Sequence, residues 1–438
     1  MVKQFHLVGI AGVGMNALAQ VLLAQGCRVS GSDRQLDAGR SLDVLEKLRA
    51  AGARLGPQNG SGVTADLTGL VVSSAIEADN PDIAAARLRR IPILHRAECL
   101  AQRANAKTCL IAVTGTAGKT TVTGMIGWTL SQLGADPTVV NGGALLNWVD
   151  QRRIGNMRAG RSDVWVVEVD ESDRSLLRFH PDWAVITNMS KEHFELAEVR
   201  HLFKAFAGQV KHGVVGCYGD GADDEFLNNF KPDLSAAGIH FGYRGVDFNL
   251  PLLGRHNAEN ALQAVMLCER LGYALPVISR ALVRFGGIQR RLERVGSGRG
   301  VTVIDDYAHN PAKIAAAWAA VAPYYRRILA IWRPHGFAPL ALMLGELVQT
   351  FCARAKPADR VFILPVYFAG GTAQRTVTAD TLVKALRERG VCAELATTYD
   401  DLLVRLKAAT QAGDGVLWMG ARDPDISVYA RRFVAELL

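Results

Sequence analysis

The run Cys109–Thr114 is short, apolar and rich in β-branched residues. It passes directly into Gly115-Thr116-Ala117-Gly118-Lys119-Thr120-Thr121 and then into a helical stretch, Thr121–Leu133. A strand that enters a helix through a turn of this kind leaves few folds open. The glycines let the backbone turn tightly and present its N–H groups to a phosphate, Lys119 offsets the phosphate charge, and Thr120 offers a hydroxyl to Mg2+. A strand that continues into a helix returns to its sheet by a crossover, so the motif implies a parallel sheet covered by helices. Val113 stands where a phosphate loop usually has its first glycine.

The same alternation recurs along the chain. Strands are expected at Gln4–Ile10, Arg28–Gly31 and Gly69–Ser73, with helices at Gly14–Gln25 and Leu42–Ala51. After the phosphate loop come strands Val164–Val169 and Trp183–Thr187 and helices Asn257–Leu271 and Val277–Phe285. From Val301 onward, strands Val301–Ile304, Arg327–Trp332, Arg360–Leu364, Val391–Leu395 and Gly415–Met419 alternate with helices Pro311–Ala322, Leu340–Ala353, Ala379–Arg389 and Tyr399–Ala409. Gly296-Ser297-Gly298-Arg299-Gly300 reads as a linker. With roughly 100–200 residues per domain, 438 residues divide into three α/β domains, over 1–106, 107–298 and 299–438.

Composition excludes several classes. No unbroken apolar run reaches the ~18 residues of a membrane span, so no membrane partner is expected. Met1–His6 enters a strand pattern with no apolar leader, so the cytoplasm is the expected compartment. The formal charge is +8, but the basic residues are scattered or paired, as at Arg152-Arg153 and Arg290-Arg291. That distribution suits small anionic ligands better than nucleic acid. Seven cysteines without a Cys-x-x-Cys read as reduced thiols and no zinc site.

Further motifs sit at the expected strand ends. Gly9-Ile10-Ala11-Gly12-Val13-Gly14-Met15-Asn16-Ala17 follows a strand and opens a helix, a place for a phosphate. Asp33 lies about 20 residues on, where an acid meets a ribose hydroxyl. The motif alone leaves NAD and other nucleotide diphosphates open. Glu168-Val169-Asp170-Glu171-Ser172-Asp173 ends a strand beside the phosphate loop; oxygen ligands there suit Mg2+, with Glu168 best placed. His193, within Thr187–Glu195, follows another strand end. Asn257 reads as a helix N-cap. In Asp305-Asp306-Tyr307-Ala308-His309-Asn310-Pro311, Asp306 is placed for a ribose and His309 for a substrate.

Taken in order, these segments resemble the Mur ligases, the ATP-dependent amide-forming enzymes of peptidoglycan synthesis. The resemblance extends through Val72-Ser73-Ser74-Ala75-Ile76, Gly254–Asn260, Arg290-Arg291 and Pro334-His335, and the phosphate loop without its first glycine is the family's own form. It implies a Rossmann-like first domain, a phosphate-loop ATPase-type central domain and a Rossmann-like last domain that receives an amino acid and closes over the site.

The resemblance implies a carboxylate donor, UDP-N-acetylmuramate, activated by ATP as an acyl phosphate and captured by an amine, with L-alanine the leading acceptor and another amine the alternative. By resemblance Lys119 meets the transferred phosphate, Thr120 and Glu168 hold one Mg2+ and His193 a second. Gly115, Thr116, Gly118, Thr121, His256, Asn257, Asn260, Arg291 and Asp306 surround ATP. Gly12, Gly14, Met15, Asp33, Ser73, Ser74, Glu171 and Ser172 meet the UDP-sugar. His309 and His335 lie near the acceptor.

One departure concerns that acceptor: Gly336 and Pro339 stand where alanine ligases of the family carry arginines for its carboxylate, leaving Arg333 and Arg422 as substitutes. A monomer or homodimer is expected.

Overall fold

The computed structural model describes residues 2–40, 42–190, 194–216, 222–368 and 376–438. Among the described residues the strands form four sheets. The first runs, edge to edge, Arg54–Gly56, Arg28–Ser32, Gln4–Val8, Gly69–Val72, Ile93–His95, all parallel. The chain reverses its direction of travel at Gln4–Val8, which opens a crevice at the C-terminal ends of the strands. That strand stops at Val8, short of the expected Ile10, because Gly9 turns into the left-handed region (φ 72) and donates its N–H to the Ser32 carbonyl at 2.8 Å. Helix Val13–Ala24 follows and buries Leu18, Val21 and Leu22 against the sheet.

The second sheet has the order Gly213–Gly216, Trp183–Ile186, Cys109–Thr114, Val164–Glu168, Thr138–Val140, Met157–Arg158. The phosphate-loop strand is central, and its neighbours Trp183–Ile186 and Val164–Glu168 are parallel to it. Their C-terminal ends therefore bring the 187–190 loop and the acidic cluster to the same edge as the phosphate loop. Buried residues of both sheets and of the helices on them, among them Leu7, Leu18, Leu110, Val167 and Phe203, form one continuous apolar cluster. A polar clasp joins the two sheets as well: buried Asn156 donates to Asn16 Oδ1 at 2.7 Å and to the Val13 carbonyl at 3.0 Å, and accepts from Gln20 at 3.0 Å.

These sheets belong to one compact unit, Met1–Pro232 with His240–Pro251 and His256–Ile288. A second unit comprises Asp233–Ile239, Leu252–Arg255 and Gln289–Leu438. Its sheet has the order Glu293–Gly298, Val301–Asp306, Asp414–Gly420, Arg327–Arg333, Arg360–Ile363, Ala393–Leu395. The first pair is antiparallel and the rest are parallel. The glycine-rich stretch expected as a linker is instead a hairpin. Glu293–Gly298 pairs with Val301–Asp306 across a turn at Arg299 and Gly300, both with positive φ (50 and 76). Two consecutive positive-φ residues are what a tight hairpin turn demands.

No helix among the described residues is long and apolar enough to cross a membrane.

Candidate active site

In the first unit the phosphate loop is built on a scaffold drawn from three segments. Gly115 (φ 130) and Gly118 (φ 83) take conformations that side chains disfavour. Both are also closely packed. A Cβ on Gly115 would lie 2.0 Å from Thr187 Oγ1, and one on Gly118 would lie 2.4 Å from Asn260 Oδ1. The 187–190 loop grips the turn from outside: Thr116 donates its N–H to the Asn188 carbonyl (3.1 Å), Ala117 its N–H to Asn188 Oδ1 (3.0 Å), and Ser190 its N–H to Thr116 Oγ1 (3.0 Å). Gln263 fastens that loop in turn by donating to the Thr187 carbonyl at 2.9 Å.

Helix Lys119–Gln132 then begins at Lys119, two residues earlier than expected, so Thr120 and Thr121 are buried in its first turn. Lys119 Nζ donates to the Gly115 carbonyl at 2.7 Å and to Glu171 Oε2 at 2.7 Å. Burial opposes its charge, but Glu171, Asp170 and Glu168 outweigh that and hold its ammonium above the ordinary lysine value. Burial pushes the Glu171 carboxyl up to about 7, against the pull of Lys119. Asp170 behaves oppositely: its burial is outweighed by the Lys119 charge and the Ser172 amide, so it stays below the usual carboxylate range.

Thr120 Oγ1 lies 3.2 Å from Glu168 Oε1. The other Glu168 oxygen accepts from the Gly142 N–H at 2.7 Å, and a Cβ on Gly142 would sit 2.5 Å from Oε1. A hydroxyl and a fixed carboxylate side by side are the hard oxygen donors that Mg2+ takes, its remaining positions going to phosphates and water. Among the described residues no group of three or more His, Cys, Asp or Glu could hold a metal, and a magnesium site of this kind needs none. His193 lies outside the described residues.

Helix Arg255–Arg270 starts two residues before the expected Asn257. Asn257 is therefore not the N-cap. It is buried in the first turn and accepts from Asn260 Nδ2 at 3.4 Å. Asn260 is thereby set against Gly118, while His256 is exposed.

At the first glycine motif the expectations meet mixed outcomes. Gly12 and Gly14 open the helix as foreseen. The Met15 side chain is on the inner side of the helix, 4% exposed, in the apolar core. Both Asp33 oxygens accept backbone N–H groups, from Ala11 at 3.0 Å and from Gln35 at 2.9 Å, so this acid shapes the glycine loop and caps a short helix. Ser73 and Ser74 follow the strand Gly69–Val72, Ser74 exposed and Ser73 half-buried. Ser172 donates its N–H to Asp170 at 3.1 Å. Sequence reasoning missed Arg96. Its guanidinium packs against Gly14, where a Cβ would lie 3.0 Å from Nη1. The signal was a cation directly after a strand end, Ile93–His95.

The second unit carries its own cluster at the C-terminal ends of its parallel strands. Asp306 accepts the Leu292 N–H at 2.8 Å. Burial pushes its carboxyl up to about 6, with the Arg291 charge opposing. Arg290 and Arg291 flank the Tyr307 ring, 4.9 and 5.3 Å from its centre. Asp305 is buried, accepting from Ser427 at 2.5 Å. His309 Nδ1 donates to the Tyr307 carbonyl at 2.9 Å, since a carbonyl can only accept. Its ring meets that of His335 edge-on, with centroids 5.1 Å apart. Arg333, expected beside a substrate carboxylate, is paired with Asp423 at 2.5 Å.

Three family models match the chain: "Mur ligase family, catalytic domain" over residues 4–108, "Mur ligase middle domain" over 113–208, and "Mur ligase, glutamate ligase domain" over 290–422. The UDP-N-acetylmuramate–L-alanine ligase of Gloeobacter violaceus is 34% identical, over 99% of this chain and 95% of its own length. That of Synechococcus sp. is 35% identical, over 100% and 94%. The crystal structure of UDP-N-acetylmuramate–alanine ligase from Thermotoga maritima has a TM-score of 0.81 at 26% identity, covering 99% of this chain and 98% of that one. A murein peptide ligase from Psychrobacter arcticus shares the fold, with a TM-score of 0.66 at 20% identity over 99% of this chain and 98% of that one.

Proposed function

The chain belongs to the Mur ligase family, and from that premise we propose that it joins the carboxylate of UDP-N-acetylmuramate to the amine of L-alanine at the expense of ATP, in peptidoglycan precursor synthesis in the cytoplasm. The observation that carries the chemistry is Lys119 and Thr120 of the phosphate loop set against Glu168 and Glu171, within hydrogen-bonding distance of both. The full-length likeness to UDP-N-acetylmuramate–L-alanine ligases supports the choice of substrates.

A carboxylate is a poor acyl donor. Its oxygen attacks the terminal phosphorus of ATP, giving an acyl phosphate and ADP. The neutral amine then attacks the acyl carbon, the amide forms, inorganic phosphate leaves with the electron pair of the broken C–O bond, and the amine gives up a proton. In this reading the N–H groups at Gly115–Thr120 cradle the phosphates, and Lys119 leaves Glu171 to offset charge on the moving phosphoryl group. Asn188 holds the loop in shape. Thr120 and Glu168 would hold Mg2+, which supplies further charge neutralisation when bound. Gly12, Gly14 and Arg96 take the UDP end. In the second unit Arg291, Asp306 and His309 are assigned to nucleotide and acceptor.

The test is phosphate release from ATP by the purified full chain with UDP-N-acetylmuramate and a panel of amines. L-Alanine is expected to give the highest kcat/KM. A different preferred amine would support the second reading, which keeps the chemistry and changes the acceptor; Gly336 and Pro339 are what favour it. No release with any amine would overturn both.

A further inference from the structure

We infer that Arg422 is the residue that receives the carboxylate of the incoming amino acid, acting as a single guanidinium without help from Arg333. This rests on the functional reading above and adds the determinant of acceptor class to it.

Strands Arg327–Arg333 and Asp414–Gly420 are parallel neighbours, with Arg333 in register with Gly420. Both arginines therefore emerge at the C-terminal edge of the sheet, the edge at which parallel α/β sheets bind their ligands. Their surroundings are opposite. Arg333 Nη1 lies 2.5 Å from Asp423 Oδ2, and its Nε donates to the Pro365 carbonyl at 3.1 Å. Its guanidinium lies over the rings of Tyr367 and Tyr399, at 5.5 and 5.1 Å. The Tyr399 hydroxyl donates to the same Asp423 oxygen at 2.5 Å. Arg333 is thus partly buried, and its charge is already met by the Asp423 carboxylate.

Arg422 is exposed and has no hydrogen-bond or ion-pair partner among the described residues. It is not loosely held. Its backbone lies in the left-handed region (φ 62), so the turn itself sets the direction in which the side chain leaves it. Its neighbours Ala421 and Asp423 are 2% and 1% exposed. Asp423 locks the turn with its N–H on the Ala421 carbonyl at 2.7 Å and its Oδ1 on the Asp425 N–H at 3.0 Å. The pair that engages Arg333 therefore also fixes the turn that holds Arg422 out.

The field of Arg422 reaches His335, whose ring meets His309. A cation held on a fixed turn beside imidazoles, with no partner among the described residues, is the complement of a molecule bearing a carboxylate and an amine on one carbon. An Arg–carboxylate contact can be bidentate and directional.

The test is steady-state kinetics of the full chain and its R422A variant with ATP, UDP-N-acetylmuramate and either L-alanine or L-alaninamide, which lacks the carboxylate. R422A should raise the KM for L-alanine at least about 10-fold, the loss expected for a charge-assisted hydrogen bond. KM for ATP and UDP-N-acetylmuramate should not change, and the preference for L-alanine over its amide should disappear. UDP-N-acetylmuramate-dependent exchange of labelled ADP into ATP needs no amine and should be retained. An unchanged L-alanine KM or an unchanged preference in R422A overturns the inference. So does a selective rise in L-alanine KM in R333K with the fold intact. Failure of the exchange reaction in the unaltered chain would overturn the functional reading itself, and this inference with it.

Discussion

Lys119 Nζ and Glu171 Oε2 lie 2.7 Å apart in a largely buried pair, the lysine side chain 15% exposed and the glutamate 3%. The lysine of the phosphate loop thus already has an anionic partner. When ATP recruits Lys119, the cation that lowers the Glu171 pKa moves away. Glu171 already titrates near 7 and would rise further. ATP binding just above neutral pH should therefore be accompanied by proton uptake. Calorimetric binding enthalpies just above neutral pH should vary with the ionisation enthalpy of the buffer in the sense of uptake. Glu171→Gln should remove that dependence.

Lys119→Ala should lower kcat by at least about 100-fold, the scale on which removing one donor of transition-state charge acts. The fold should persist, because Glu171 can take up a proton once its partner is gone. Circular dichroism together with turnover checks both halves. Near-normal turnover would remove Lys119 from its assigned role.

Gly118→Ala should impair ATP binding more than it impairs folding. The substitution adds a Cβ at φ 83, where it would sit 2.4 Å from Asn260 Oδ1, so either the turn or Asn260 must move. The expected result is a raised KM for ATP with an unchanged far-ultraviolet spectrum. Asn260→Ala in the same background should restore part of the loss by making room.

Asn156→Ala should destabilise the first unit by about 2 kcal/mol, since it leaves the Asn16 amide and the Val13 carbonyl without their buried donor. Thermal unfolding would report it. Because Val13 and Asn16 begin the helix after the first glycine motif, KM for the UDP-sugar should rise as well.

Burial and then the Arg422 charge hold the His335 imidazole below its ordinary pKa. In R422A only the second cause is removed. The His335 midpoint, followed by proton NMR, should rise but stay below the usual histidine value.

The parts of the site that were legible in the sequence are those carried by local chemistry. Gly115, Gly118, Lys119 and Thr120 are consecutive or nearly so, and Glu168 follows a strand whose apolar run is visible. Residues that act by reaching across the fold were not legible. Nothing local marks Asn188 or Gln263 as supports for the phosphate loop. The acid that pairs with Arg333 is 90 residues away in sequence. The burial of Met15 was not legible either, because membership in a glycine motif says nothing about which side of the helix a residue occupies. Strands of two or three residues, such as Thr138–Val140 and Met157–Arg158, are too short to show a period. The hairpin at Arg299-Gly300 resembled a linker because tight turns and linkers use the same residues.

The strand Asp414–Gly420, so late in the sequence, lies between Val301–Asp306 and Arg327–Arg333 in the middle of its sheet. During synthesis those two flanking strands leave the ribosome long before the one that must separate them. Until it arrives, each has an unsatisfied edge and an uncovered apolar face. A chain interrupted before Asp414 would lack the keystone of the sheet. It would be expected to aggregate or be degraded, and not to persist as a weakened enzyme.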